Sequence, residues 1–133
     1  SDTVAVREAV MEFIRSIDRL DLDGVANSFA HDATAFYPFS FTGPRLDGRD
    51  AIREAQDRAF VWARKQLEEA GASEPYALRL NPTDMEVRML GTNAAIVTWH
   101  SHRPNHFGRR SATLQKIDGK WLIVSHHASN IDR

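Results

Sequence analysis

The hydrophobic period of this chain changes partway along, and that change limits the folds open to it. Val6, Val10, Phe13, Ile14, Ile17 and Leu20 recur three or four residues apart, the apolar stripe of an amphipathic helix over about residues 3–20. From Tyr76 onward the period is two, which belongs to strands with one covered face. Helices in the first half and a run of consecutive strands in the second predict an α+β domain rather than alternating βα units. The helices are expected to cover one face of a sheet that is mostly C-terminal.

Local signals place the remaining elements. Asp21 is a good N-cap for a short second helix reaching about Phe29. The segment Ala33 to Phe41, with Phe36, Tyr37, Phe39 and Phe41, reads as a strand that Gly43-Pro44 breaks. A third helix is predicted over Gly48 to Ala70, with Ile52, Ala55, Ala59, Phe60, Ala63 and Leu67 on its apolar side and Gly71 at its C-terminal stop. Four strands follow: Tyr76–Leu90 with a break at Asn81-Pro82, Ala94–Arg103, Arg109–Ile117 and Lys120–Ser129. Asp118-Gly119 joins the last two as a two-residue hairpin turn.

Composition agrees with one globular domain over residues 1–133. Hydrophobic residues make up 42% and charged residues 26%, enough apolar material for a core. The net charge is −1, from 17 basic and 18 acidic side chains with no basic block, which argues against nucleic acid and anionic membranes as partners. There is no cysteine, so thiol nucleophiles, disulfides and thiolate metal sites are excluded. No apolar run approaches the roughly 20 residues that span a bilayer. The N-terminus lacks the basic-then-apolar pattern of a secretory signal, so cytoplasm is the expected location.

Three stretches resemble the nuclear transport factor 2-like superfamily: Asp21-Leu22-Asp23-Gly24, then Phe29-Ala30-His31-Asp32-Ala33-Thr34, then Gly48-Arg49-Asp50-Ala51-Ile52-Arg53. The C-terminal run Gly119-Lys120-Trp121-Leu122-Ile123-Val124-Ser125-His126-His127-Ala128-Ser129 resembles the SnoaL-like branch and the association domain of calcium/calmodulin-dependent kinase II. The similarity covers nearly the whole chain in order. It implies a cystatin-like cone, in which a strongly curved antiparallel sheet wraps a long N-terminal helix and leaves a pocket at the open end. Members usually pair through the outer face of the sheet. They include ketosteroid isomerase, scytalone dehydratase, limonene epoxide hydrolase, polyketide cyclases and non-enzymatic assembly modules, so fold alone gives no function.

The chemistry of ketosteroid isomerase can be tested residue by residue. It uses a carboxylate to shuttle the proton, and a tyrosine with a protonated aspartic acid to hold the enolate oxygen. Alignment on the resembling motifs puts Tyr37, Phe13 and Thr113 at those three positions. A phenol with a pKa near 10 is a poor base at neutral pH, and phenylalanine donates no hydrogen bond. Isomerisation by that route is therefore rejected.

Simple alternation across the hairpin predicts the pocket wall. If Ile117 pairs with Lys120, then Thr113 pairs with Val124 and Ser111 with His126. One face would carry Ser111, Thr113, Gln115, Leu122, Val124, His126 and Ala128, and this mid-strand polar face is expected to line the pocket. The opposite face would carry Arg110, Ala112, Leu114, Trp121, Ile123, Ser125 and His127, and Leu114, Trp121 and Ile123 would build a homodimer contact. Phe13, Ile17 and Trp62 are expected on the helical side of the cavity, with Tyr37 at its rim. His126 and Tyr37 are the catalytic candidates, His126 as base or hydrogen-bond donor. Asp32 is expected to tie down its own turn.

A metal site is not expected. His100 and His102 share one face of a strand and His126 lies two strands away, roughly 9–10 Å across the sheet, whereas zinc ligands must converge to about 2.1 Å from one ion. Nothing calls for a cofactor. The leading expectation is a domain that binds a small apolar or carboxylate-bearing ligand, with hydration, dehydration or ring closure of a carbonyl compound as allowed reactions. The alternatives are an assembly module like the kinase association domain and a histidine-based metalloenzyme. An open, polar-edged cavity would favour the first, a closed apolar one the second.

Overall fold

The computed structural model describes residues 1–71 and 78–132. Helix α1 (Asp2–Asp18) leads into α2 (Leu22–Asn27), strand β1 (Phe29–Phe36), a 3-10 turn (Ser40–Thr42), the short β2 (Leu46–Asp47) and helix α3 (Arg49–Glu69). Strands β3 (Pro82–Met89), β4 (Ala94–His102), β5 (His106–Ile117) and β6 (Lys120–Asp132) complete the chain. The six strands form one curved sheet in the order β2-β1-β6-β5-β4-β3. The architecture is the expected α+β cone. Every pairing is antiparallel except β1 with β6, which is parallel, because the chain crosses from β1 to β6 through the rest of the fold rather than a hairpin.

The sequence explains the helical half. Ser1 and Asp21 cap α1 and α2, the Asp21 carboxylate accepting the Gly24 N–H at 3.0 Å. A Cβ at Gly24 would collide with the Ser16 hydroxyl of α1 and the capping Asp21 carboxylate, so glycine lets both side chains keep their places. Val6, Val10, Phe13 and Ile14 put the apolar stripe of α1 into the core. Arg49 anchors the start of α3 by donating to the Phe29 carbonyl from Nε at 2.9 Å and from Nη2 at 2.6 Å.

Several boundaries differ from expectation. Helix α2 stops at Asn27 and Phe29 already opens β1. Phe39 and Phe41 leave the sheet for the 3-10 turn, where their rings stack at 5.4 Å. Asp32 sits exposed in β1, at a register irregularity between Phe29 and Thr34. The start of the first predicted C-terminal strand, Tyr76, lies outside the described residues. Strand β5 begins three residues early, at His106, and Arg103 N–H donates to the His106 carbonyl across a tight turn. Asp118 and Gly119 have φ of 50° and 79°, the two positive values of a type I′ hairpin.

The β5–β6 register holds the main correction. Ile117 pairs with Lys120 as expected, and Leu114 with Ile123. The next pair is Thr113 with Ser125, not Val124, so β6 carries a bulge with Val124 as the extra residue. One extra residue reverses the parity of everything beyond it. Leu114, Trp121 and Ile123, expected on an outer dimer face, are 0%, 8% and 1% exposed in the core. They belong inside because they join the one core cluster that the α1 stripe also fills, and each contributes roughly 1.5–3 kcal/mol by burial.

Candidate functional site

The open end of the cone encloses a cavity of about 450 Å³. Helix α1 supplies Phe13 and Ile17, and α3 supplies Gln56, Ala59 and Trp62. Tyr37 follows directly after β1. The sheet contributes Trp99 and Ser101 from β4, Arg110 from β5, and His126, Ala128 and Asn130 from β6. Trp62 is 59% exposed while lining the cavity, which marks the mouth.

The structure thus brings together five of the residues singled out from sequence: Phe13, Ile17, Tyr37, Trp62 and His126. Ser111, Thr113, Gln115 and Val124 do not join them. The residues of β5 that pair across to inward-facing neighbours are Ala112, with His126, and Leu114, with Ile123, so Ser111, Thr113 and Gln115 take the outer face. His126 reaches the cavity because the bulge moves it onto the face of Leu114, not because it follows Leu122 and Val124.

His126 is 4% exposed and held on every side. Its Nδ1 lies 3.1 Å from the Ser111 carbonyl, which can only accept, so Nδ1 carries the proton and Nε2 is left as an acceptor. Phe13 and Tyr37 meet the ring edge-on at 5.2 and 6.1 Å, and Trp99 stacks on it at 6.0 Å. Burial, with the positive charge of Arg110 adding to it, pulls the His126 pKa down to about 3. The imidazole is neutral at pH 7. The Tyr37 hydroxyl donates to Gln56 Oε1 at 2.9 Å, and burial pushes its pKa further up.

Sequence reasoning missed Arg110. Its Nη1 donates to three oxygens: the Ser129 carbonyl at 2.7 Å, the Asn130 side chain at 3.1 Å and the Arg109 carbonyl at 3.1 Å. A Cβ at Gly108 would lie 3.0 Å from the guanidinium carbon, so glycine leaves the space that Arg110 occupies. Burial lowers the Arg110 pKa, and no carboxylate pairs with it among the described residues. No described residue lining the cavity is an aspartate or glutamate, while Arg103 and Arg110 both line it. A signal for this arrangement exists in the sequence. Ala112 would face Ser125 under simple alternation, and the apolar positions of β6 change from odd (Trp121, Ile123) to even (Ala128). That phase change is what a bulge produces.

His106 also lines the cavity, whereas His100 and His102 lie apart from it. His100 contacts the Asp84 carboxylate at 3.0 Å and His102 the Thr83 hydroxyl at 2.9 Å, on the outer side of β4, away from His126. No group of three or more histidine, aspartate or glutamate side chains placed to hold a metal occurs among the described residues.

Residues 6–132 match the SnoaL-like domain family. The chain is a SnoaL-like domain. It belongs to the nuclear transport factor 2-like superfamily. Among solved structures it is similar to a cystatin-like fold protein from Burkholderia xenovorans, with 21% identity, 98% of this chain and 92% of that chain covered and a TM-score of 0.74. It is also similar to a ketosteroid isomerase-like protein from Erwinia carotovora atroseptica, with 13% identity, 100% and 98% coverage and a TM-score of 0.74. A candidate dehydratase of the NTF2-like family from Streptomyces avermitilis shares 16% identity over 98% and 96% of the two chains, with a TM-score of 0.71. These likenesses are of fold. No curated protein matches the sequence. Of the three residues that motif alignment set at isomerase positions, Phe13 and Tyr37 line the cavity, Thr113 lies on the outer face and so cannot take that role, and none is a carboxylate.

Proposed function

We propose that this SnoaL-like domain binds a small, largely apolar molecule inside the cone. The observation that carries the reading is the cavity of about 450 Å³, open at Trp62, with aromatic walls and a few polar groups on one inner side. Sites of that size and mixture suit small organic ligands. A role in assembly alone requires no such cavity, and the fold relatives include isomerase-like and dehydratase-like proteins.

The chemistry of the lining favours holding and orienting over strong proton abstraction. A general base works best with a pKa near the working pH. His126 is held far below that, Tyr37 far above it, and no described carboxylate lines the cavity. Native mass spectrometry of protein purified without denaturation should show a retained small-molecule mass, and apolar probes should quench Trp62 and Trp99 fluorescence. Protein that carries nothing and quenches with no aromatic probe at millimolar concentration does not support this reading.

A homodimer through the outer sheet face accompanies the proposal. Ile96, Leu122 and Val124 stay half-buried on that face, which no helix among the described residues covers. Sedimentation at micromolar concentration is expected to give twice the 15.0 kDa chain mass; a monomer removes the dimer and leaves the binding reading intact.

A further inference from the structure

We infer that the ligand is a hydroxylated aromatic carboxylic acid, its carboxylate held by Arg110 and its hydroxyl donated to His126. This rests on the binding reading above and names the class of molecule.

The first observation is the donor count of Arg110. A guanidinium carries five N–H donors in a fixed fork. Nη1 is committed to three protein oxygens, while Nε and Nη2 have no hydrogen-bond partner among the described residues. Those two nitrogens form one edge of the fork, the edge that matches two carboxylate oxygens. A half-buried cation with no described counter-charge, in a cavity with no described carboxylate, is complemented by an anion.

The second observation is the lone acceptor of His126. Because Nδ1–H is committed to the Ser111 carbonyl, Nε2 can only accept, and no described residue donates to it. A second carboxylate oxygen there would face a lone pair. A hydroxyl hydrogen would complete it.

The third is spacing. Arg110 pairs with Ala128 and Ala112 with His126, so Arg110 and His126 are diagonal neighbours on the inner face of β5 and β6. Their backbones stand about 7–8 Å apart, and the Arg110 guanidinium extends further away from His126, toward Gly108, Ser129 and Asn130, so the two groups leave room for a ring between them. One six-membered ring separates a carboxylate from a hydroxyl on this scale, and Phe13, Tyr37 and Trp99 offer it aromatic surface beside His126.

The test uses 4-hydroxybenzoic acid, its methyl ester and 4-methoxybenzoic acid, titrated into the purified protein at pH 7 with tryptophan fluorescence and calorimetry. The acid should bind at least tenfold more tightly than the ester, and several-fold more tightly than the methoxy acid. Arg110→Gln should bring acid and ester to equal affinity, whereas Arg110→Lys should keep part of the preference. His126→Phe should remove the preference for hydroxyl over methoxy and keep that for acid over ester. Equal binding of acid and ester by the unaltered protein overturns this inference and leaves the binding reading standing. Should none of the three bind while apolar probes do, the inference again falls alone. Failure of every probe overturns both. The comparison of ligands on unaltered protein decides the matter even where a variant does not fold.

Discussion

The two ends of the β5–β6 hairpin share strands, pairing and neighbours, yet they do different work. Near the turn, Leu114, Trp121 and Ile123 fill the inner face with apolar packing. Beyond the bulge at Val124 the same inner face carries Arg110, His126 and Asn130. One unpaired residue therefore separates a core wall from a cavity wall. The comparison teaches that the bulge turns His126 and Asn130 of β6 inward, while Arg110 of β5 is inside by plain alternation with Ala112 and Leu114.

The largest expected effect tests the core end. Leu114→Ala should cost about 2–5 kcal/mol, because a large buried side chain leaves a void that the packed surroundings fill only partly. Thr113→Ala, one residue along on the outer face, should stay within about 0.5 kcal/mol. Urea unfolding of both variants checks this; comparable losses would break the assigned inner and outer faces.

The next effect comes from the cavity end and depends on pH. The His126 pKa falls from 6.5 to about 3 on folding, mainly by burial. The unfolded chain therefore binds a proton that the folded chain refuses. The contribution is fully present above pH 6.5 and is lost as pH falls from there toward 3, at about 1.4 kcal/mol per pH unit. Chemical denaturation at pH 7 and pH 5 should show a loss on the order of 2 kcal/mol from this group. His126→Phe should flatten that part of the profile, and an unchanged slope would show His126 to be reachable by solvent.

The smallest effect sharpens the role of Gly108. Gly108→Ala puts a methyl 3.0 Å from the Arg110 guanidinium carbon, so the guanidinium must give by a few tenths of an ångström and strain the bonds to its three acceptors. A stability loss of about 1–2 kcal/mol is expected, as for a strained or broken charged hydrogen-bond set. Acid binding should weaken more than ester binding. Full retention of both would place the guanidinium elsewhere.

Much of the fold was legible because its causes are local. The α1 stripe, the Asp21 cap and the Asp118-Gly119 turn each depend on residues within a few positions of one another. The site was legible where it rests on the same patterns: Phe13 and Ile17 follow from the helix stripe. Arg110 was not, because alternation rightly grouped it with Ala112 and Leu114 but that apolar face was assigned to a dimer contact instead of the core. Ser111, Thr113, Gln115 and Val124 were assigned inward by the same count.

The sequence by itself determined the α+β class, the helix-then-strand order and the hairpin turn, since hydrophobic period, caps and turn chemistry act over short range. Tertiary structure decided which face of β5 and β6 is inside, that β1 runs parallel to β6, and that Arg110, His126 and Tyr37 border one cavity. These follow from long-range packing. Val124 is set aside as a bulge so that Trp121 and Ile123 before it, and His126 and Ala128 after it, can all turn inward, and that choice exists only once the rest of the chain is there to pack against.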